Sequence, residues 1–169
     1  MNNKNNIFLL LFLIFFNSCN LVLKDDVEVK SSEIVIYYNG LQEQLVILNT
    51  GKHKVPKGTL LYTYSVKDTL IKRKLEVQTK DEEIKTYGFN YWHSLKPEEI
   101  EEFHKRNGHK TVEDYILPFV YSKTRNSFSK YDFEEIEISE IESEIENELK
   151  KDTIFSQFIN TKSFKLNET

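Results

Sequence analysis

The sequence is short of several residue types, and each shortage excludes something. It has a single cysteine, Cys19, so no disulfide can form within one chain. Asp and Glu (27 residues) outnumber Lys and Arg (23), and the formal net charge of −4 leaves no basic surface of the kind that binds nucleic acid. Because of this charge, we expect no nucleic-acid partner. Alanine is also absent, which fits the Lys-, Asn- and Ile-rich bias of an AT-rich genome.

Motifs for catalysis, metals and cofactors are also missing. No Gly-x-Ser-x-Gly elbow occurs, and the 5 glycines are scattered singly, so no glycine-rich loop can cradle a phosphate. His104 and His109 flank Gly108, which is expected to end a helix between them. They therefore do not share the helix face that a zinc site needs, and we expect His104 to be an exposed helix-end histidine. The sequence predicts no enzyme, no metal site and no cofactor.

The N-terminal residues MNNKNNIFLLLFLIFFNSC carry the export signal. Lys4 precedes an unbroken apolar run from Ile7 to Phe16, and polar Asn17 and Ser18 follow it. A membrane-spanning helix needs about 20 apolar residues, so a cleaved signal peptide over residues 1–18 is the better interpretation. An ordinary secretory signal with an incidental thiol, or an uncleaved anchor, are the alternatives, and both still attach the chain to the export route.

Cys19 stands at the edge of this run, where the segment resembles a bacterial lipoprotein signal. In such signals the cysteine is lipidated and becomes the new N-terminus. The resemblance implies that Cys19 carries a lipid, so that the protein is anchored to a membrane of the bacterial cell envelope and faces its extracytoplasmic side. Residues 19–32 then form the lipidated cysteine and a polar tether without regular structure. The folded domain is expected to span residues 33–169.

The first half of this domain has the pattern of β-structure. Two apolar runs flank Asn39-Gly40, a pair that favours a type I′ hairpin turn because both residues accept positive φ. Residues 51–58 are predicted to be a loop. A second long hairpin then ends in IKTYGFNYWHS, where Tyr87, Phe89 and Tyr91 share one face and mark the centre of the sheet.

The second half has helical periodicity. Pro97 suits a first helical turn, and Thr111 and Asp114 have the spacing of a capping box for a helix in which Pro118 predicts a kink or the true start. Its apolar positions, which are expected to face the sheet, are Tyr115, Phe119, Tyr121 and Phe128. A third helix carries an apolar stripe of Ile138, Ile141, Ile145 and Leu149. Residues 153–167 are predicted to be a last strand. The fold class is therefore α+β, a curved antiparallel sheet with two to three helices packed on it.

Two features of this pattern are candidate partner-binding surfaces. The glutamates around the third helix lack the loop of a calcium site and mainly form its solvated face. An acidic stripe beside an apolar seam can also dock a basic neighbour, which makes Glu142, Ile145 and Glu146 candidate partner contacts. Trp92 lies opposite Tyr91 by strand alternation, so we expect it to be exposed and available to a partner or a lipid headgroup.

The order of these elements resembles the SPFH, or band 7, family that includes prohibitins, stomatins and flotillins. The segment GKHKVP at residues 51–56 and the hairpin LEVQTKDEEIKTYGFNYWHS at residues 75–94 are similar to family segments. The strongest similarity lies in residues 112–149, a helix, a Tyr-x-x-Glu-Glu step and a glutamate-rich helix. The residues in corresponding places are Ile116, Pro118, Arg125, Tyr131, Glu134, Glu135, Ile141, Glu142, Glu144 and Ile145.

The resemblance implies a small domain at a membrane that associates with copies of itself or with membrane proteins, including membrane proteases. The leading hypothesis is a lipid-anchored, non-catalytic scaffold. The alternative is a small extracytoplasmic lipoprotein that binds a ligand or peptide. Because no heptad-rich helix follows the last strand here, we expect weak self-association in solution and assembly that depends on the anchor.

Overall fold

A computed structural model describes residues 24–40, 42–108 and 110–168 of the protein, and Cys19 and His109 lie outside that part. The described residues form strands and four helices, and two short 3₁₀ turns at Pro97–Glu99 and Phe133–Glu135. The strands are β1 (Lys24–Val29), β2 (Glu33–Asn39), β3 (Gln44–Leu48), β4 (Gly51–Pro56), β5 (Leu61–Ser65), β6 (Thr69–Gln78), β7 (Ile84–Leu95) and β8 (Ile159–Glu168). The helices are α1 (Ile100–Asn107), α2 (Val112–Phe128), α3 (Ile138–Lys151) and α4 (Thr153–Phe158).

All strand pairs are antiparallel, which confirms the predicted α+β class. The strands do not form one continuous sheet but three small ones, in the orders β1-β4, β3-β2-β5 and β6-β7-β8. The predicted central hairpin is β6–β7, and β7 is the middle strand of its sheet. Tyr87, Phe89 and Tyr91 are buried on one face, as predicted, and Trp92 on the other face is 42% exposed.

Two segments without predicted strands do pair. Strand β1 lies in the segment expected to be an irregular tether, and it pairs along its length with β4, which occupies the expected loop. Val27, Val29 and Val55 supply the apolar side chains of this pair. Charged residues fill the exposed face of both strands. The apolar–polar alternation of the pair is therefore visible only when the sequences of β1 and β4 are placed side by side. The sheet structure therefore begins at Lys24 rather than Glu33.

The β2–β3 hairpin forms as predicted, but its turn differs. Asn39 pairs with Gln44, so a four-residue connection replaces the expected two-residue type I′ turn. Glu43 rather than Gly40 has positive φ, at 52°. The turn is held by the side chains of Asn39 and Gln42, whose amide groups hydrogen bond at 2.9 Å.

The helix boundaries follow their sequence signals. Gly108 ends α1 with φ 58°. The Thr111 hydroxyl accepts from the Asp114 N–H at 3.1 Å, and the Asp114 carboxylate accepts from the Thr111 N–H at 3.1 Å, which completes the predicted capping box. Because α2 begins at Val112, the prediction that Pro118 marks its start is wrong.

The last helices show one confirmed and two corrected predictions. Ile141, Ile145 and Leu149 of α3 are fully buried, as the stripe predicts, and Ile138 at the start of the helix is partly buried. The buried face of α2 consists of Ile116, Val120, Thr124, Ser127 and Phe128; Tyr115, Phe119 and Tyr121 are only partly buried beside it. The expected last strand begins with helix α4, which the Asp152 carboxylate caps by accepting from the Phe155 N–H at 3.1 Å.

The buried side chains divide into two clusters. The small core, Val29, Val35, Tyr37, Leu48 and Val55, lies between the β1-β4 and β3-β2-β5 sheets. The large core lies between the β6-β7-β8 sheet and the helices and is rich in aromatic rings. Ile36 and Tyr64 of the β3-β2-β5 sheet belong to the large core. This sheet is therefore covered on both faces, which explains why β2 has no clean apolar–polar alternation.

Candidate functional site

The acidic helix α3 lies along the free edge of β8. Glu142 accepts from the Leu166 N–H at 2.7 Å and from the Lys165 ammonium at 2.7 Å, and Glu146 accepts from the Phe164 N–H at 3.3 Å. Four residues of helix rise about 6 Å and two residues of strand about 6.8 Å, so this helix spacing matches the outward N–H groups of the strand. The two glutamates therefore satisfy and cover the edge of β8.

This arrangement corrects part of the predicted partner surface. Ile145 is fully buried, and Glu142 is only 8% exposed. Both side chains are committed to contacts within the chain, because Ile145 packs in the large core and Glu142 binds β8. Glu146 is half-buried and remains at the rim, where it also pairs with Lys150. Of the four predicted contacts, Glu146 and Trp92 present surface.

Glu144, expected on the solvated face, instead joins α3 to the end of α2. Its carboxylate accepts from the Ser127 hydroxyl at 3.0 Å and from the Tyr131 hydroxyl at 3.2 Å, and it forms an ion pair with Lys130. Burial alone raises the pKa of Glu144, but the hydrogen bonds from Lys130 and Ser127 outweigh burial and hold it below its usual value. The glutamate shell is therefore partly structural.

The opposite face of the β6-β7-β8 sheet faces away from the buried rings. Trp92 stands on it beside Leu70, its cross-strand neighbour on β6. Lys72 and Lys74 follow Leu70 on the same face by the two-residue period of a strand. We call this surface, Leu70, Lys72, Lys74, Glu76, Asn90 and Trp92, the open face. Its mixture of one aromatic ring and basic side chains is suited to contact rather than to chemistry.

The edge of β6 borders the open face and differs from the edge of β8. The Lys72 carbonyl accepts from the Arg73 guanidinium at 2.9 Å, and the Glu76 carbonyl accepts from the Arg125 guanidinium at 3.4 Å. Carbonyls that bond to side chains in this way point away from β7, and alternate residues of a paired strand share that direction. The backbone groups of Leu70, Lys72, Lys74, Glu76 and Gln78 therefore line this free edge.

Two histidines lie in the interior. His104, expected to be exposed, is 8% exposed, and its Nδ1 lies 2.6 Å from the Tyr64 hydroxyl, so it connects α1 to β5. His93 is 3% exposed and stacks on Tyr91 with ring centroids 5.4 Å apart. Burial lowers the pKa of His93. Sequence reasoning missed both positions. That of His104 depends on β5, far away along the chain, whereas His93 shares the buried face of Tyr91 by the two-residue period of a strand, which was a local signal.

The grooves of the described surface are small. One of about 380 Å³ lies between the end of β6 and α2 and is lined mainly by polar residues, among them Gln78, Arg125 and Asn126. A second of about 160 Å³ adjoins His93 and Glu113. Among the described residues, no three His, Cys, Asp or Glu side chains are grouped so as to hold a metal ion. In the same part of the chain, no helix is long and apolar enough to cross a membrane.

Comparison with known families agrees with this architecture. The sequence matches the family model described as "SPFH domain / Band 7 family" over residues 27–168. The match begins within β1 and ends with β8, so it covers nearly all of the described fold. No curated protein matches the chain.

Proposed function

The chain belongs to the SPFH/band 7 family, and from this premise we propose that it is a non-catalytic scaffold, held at a bacterial membrane by a lipid on Cys19, that self-associates there. Members of this family generally associate with membranes, form oligomers and act as scaffolds rather than as enzymes. The proposal adds to this general role the lipid anchor, the extracytoplasmic side and self-association as the mode of action. Residues 1–18 act as the signal peptide in this proposal.

The observation that carries the proposal is the open face. Tyr87, Phe89 and Tyr91 direct the inner face of the β6-β7-β8 sheet into the large core, while Trp92 keeps 42% of its surface exposed on the other side. Exposed tryptophan is favoured at protein contacts, since it buries a large area at little cost in side-chain entropy. We propose Trp92 as a contact residue, with Glu146 at the rim of a second contact on α3.

Ligand capture by a small lipoprotein has less support. Small-molecule sites are mainly apolar clefts of about 300–1,000 Å³. The groove of about 380 Å³ at Arg125 falls in that range, but most of its lining residues are polar or charged. Contact surfaces therefore support a scaffold better than the grooves support a ligand site.

The anchor is tested by the change Cys19→Ser in the full chain, expressed in bacteria and followed by membrane fractionation. We expect the variant to leave the membrane fraction or to accumulate as an unprocessed precursor, because it lacks the thiol that the lipid modifies. A variant that stays in membranes as an intact precursor, like the wild type, would show that the apolar run itself is the anchor.

Self-association is tested by crosslinking the full chain in intact membranes. A ladder of self-crosslinked species supports a scaffold, and Trp92→Ala is expected to weaken it. The control is Ile154→Ala, which removes an apolar side chain from α4 that is more exposed than Trp92, 63% against 42%. A strictly monomeric chain would contradict self-association, and a single crosslink to a different membrane protein would replace it with a role in holding that protein.

A further inference from the structure

The two edges of the β6-β7-β8 sheet are treated differently by the fold. Glu142 and Glu146 accept from the outward N–H groups of β8, so no further strand can pair there. On β6, the outward N–H groups of Lys72 and Lys74 have no such cover, while the carbonyls of Lys72 and Glu76 accept from the side chains of Arg73 and Arg125. An uncovered edge of this kind is a template for another strand.

Lysines on this edge determine which strand fits. Lys72 and Lys74 are exposed, and neither ammonium forms an ion pair or hydrogen bond with another described residue. On the open face they lie opposite Asn90 and Gly88 of β7, so no carboxylate of the neighbouring strand faces them. Two β6 edges cannot pair about Arg73, because Lys72 of one copy would then face Lys74 of the other. An acidic strand would neutralise both lysines at this edge.

Among the described strands, β1 is acidic and lies at another edge. In the two-stranded β1-β4 sheet, β1 has one unpaired side. Its residues Lys24, Asp26 and Glu28 share the exposed face, while Val27 and Val29 face the small core. Asp26 and Glu28 stand opposite Lys54 and Lys52 of β4 without forming ion pairs with them. Both carboxylates are therefore available to the lysines of a partner.

We propose that β1 of one copy pairs antiparallel with the β6 edge of the next copy. In this register Asp26 lies opposite Lys74. The same register places Glu28 opposite Lys72 and Lys24 opposite Glu76, so three pairs of opposite charge form on one face. Cross-strand pairs of opposite charge stabilise a sheet. A parallel arrangement puts Asp26 opposite Lys72 and Glu28 opposite Lys74, but its third pair, Lys30 with Glu76, lies beyond the end of β1 at Val29.

This pairing has a consequence for assembly. It joins two different surfaces, so it is a head-to-tail contact that continues from copy to copy and forms either a ring or an open chain. It also uses a strand that begins five residues after Cys19, which keeps the contact near the membrane. The inference rests on the proposed self-association and specifies its interface.

Charge variants of the full chain in membranes test the interface by crosslinking. One variant combines Lys72→Glu with Lys74→Glu. The other combines Asp26→Asn with Glu28→Gln, which avoids placing new lysines beside Lys52 and Lys54. Each variant alone is expected to lose self-crosslinked species by about tenfold, a change of about 1.4 kcal/mol. Mixing the two variants is expected to restore dimers, because the lysine variant supplies an intact β1 and the carboxylate variant supplies an intact β6.

Backbone pairing is tested separately from charge. Lys74→Pro removes an N–H that points to the free edge and leaves the bonds to β7 in place, whereas Lys74→Ala removes only the charge. We expect Lys74→Pro to lower crosslinking further than Lys74→Ala. A disulfide between Asp26→Cys in one tagged copy and Lys74→Cys in another is also expected, with Lys165→Cys on the covered edge as the control.

The outcomes separate this inference from the proposed function. Wild-type chains that self-associate while both charge variants do so equally, with no disulfide between positions 26 and 74, overturn the β1–β6 interface and leave the scaffold intact. Wild-type chains that never self-associate overturn both. Circular dichroism of each variant identifies loss of folding, and the disulfide experiment then decides, since each single cysteine change leaves the other charges in place.

Discussion

The two cores of this fold differ in construction. The small core is a thin sandwich of mainly aliphatic side chains, in which Val29 and Val55 face Val35 and Leu48. The large core stacks rings on rings, for example Phe89 on Phe164 with centroids 5.7 Å apart. Since hydrophobic stabilisation grows with buried area, we infer that the large core holds the fold and that the small core opens more easily. Strand β1, the proposed contact strand, belongs to the easily opened part.

The largest expected effect is on the large core. Ile145→Ala removes a fully buried side chain of α3 and should lower the free energy of unfolding by about 2–5 kcal/mol. Chemical denaturation measures this, with Asn147→Ala on the exposed side of the same helix as the control, expected within about 0.5 kcal/mol. Equal effects of the two changes would show that the buried face of α3 is assigned wrongly.

The second-largest effect on the free energy of unfolding is expected at the covered edge of β8. Glu142→Ala removes the acceptor of the Leu166 N–H, and a buried donor left without a partner costs about 1–3 kcal/mol. The variant should also aggregate more readily, because it uncovers a strand edge. Denaturation followed by light scattering checks both expectations. Unchanged stability would mean that water replaces the carboxylate without loss.

These first two effects also show how far sequence reasoning reaches. The stripe that contains Ile145 was predictable, because its spacing depends only on helix geometry. The role of Glu142 was not predictable. This residue borders the stripe, and its function depends on the outward N–H groups of β8, a strand that comes much later in the chain. The β1–β4 pair was missed for a similar reason, since its valines are separated by the β2–β3 hairpin. The helix α4 did have a local signal, the capping residue Asp152.

A change in the small core should act locally. Val55→Ala deletes two methyl groups, and at about 0.8 kcal/mol for each buried carbon the expected cost is about 1–2 kcal/mol. If the small core opens on its own, hydrogen exchange should quicken in β1 and β4 while β7 stays protected. Faster exchange in β7 as well would show that the two cores open together.

Acid should destabilise the large core through the buried side chain of His93. Burial lowers the pKa of His93 in the large core from the usual 6.5, so the unfolded chain takes up a proton that the folded chain does not. The free energy of unfolding should therefore fall as pH drops below about 6.5, above the range in which carboxylates titrate. His93→Gln should flatten this dependence. The same pH dependence in both proteins would assign it to other histidines.

The smallest expected effect concerns the connection between the cores. The Tyr64 hydroxyl of β5 and His104 Nδ1 of α1 lie 2.6 Å apart, and Tyr64→Phe removes that contact while keeping the ring. A hydrogen bond of this kind contributes about 0.5–1.5 kcal/mol to stability. Its position matters more than its size, because Tyr64 lies in the sheet that both cores share. We expect Tyr64→Phe to separate exchange in β1–β5 from exchange in β6–β8, while Tyr38→Phe, a control on the exposed end of β2, leaves them coupled. If Tyr64→Phe lowers global stability by that amount yet exchange stays coupled, the packing of Ile36 rather than the hydrogen bond joins the two cores.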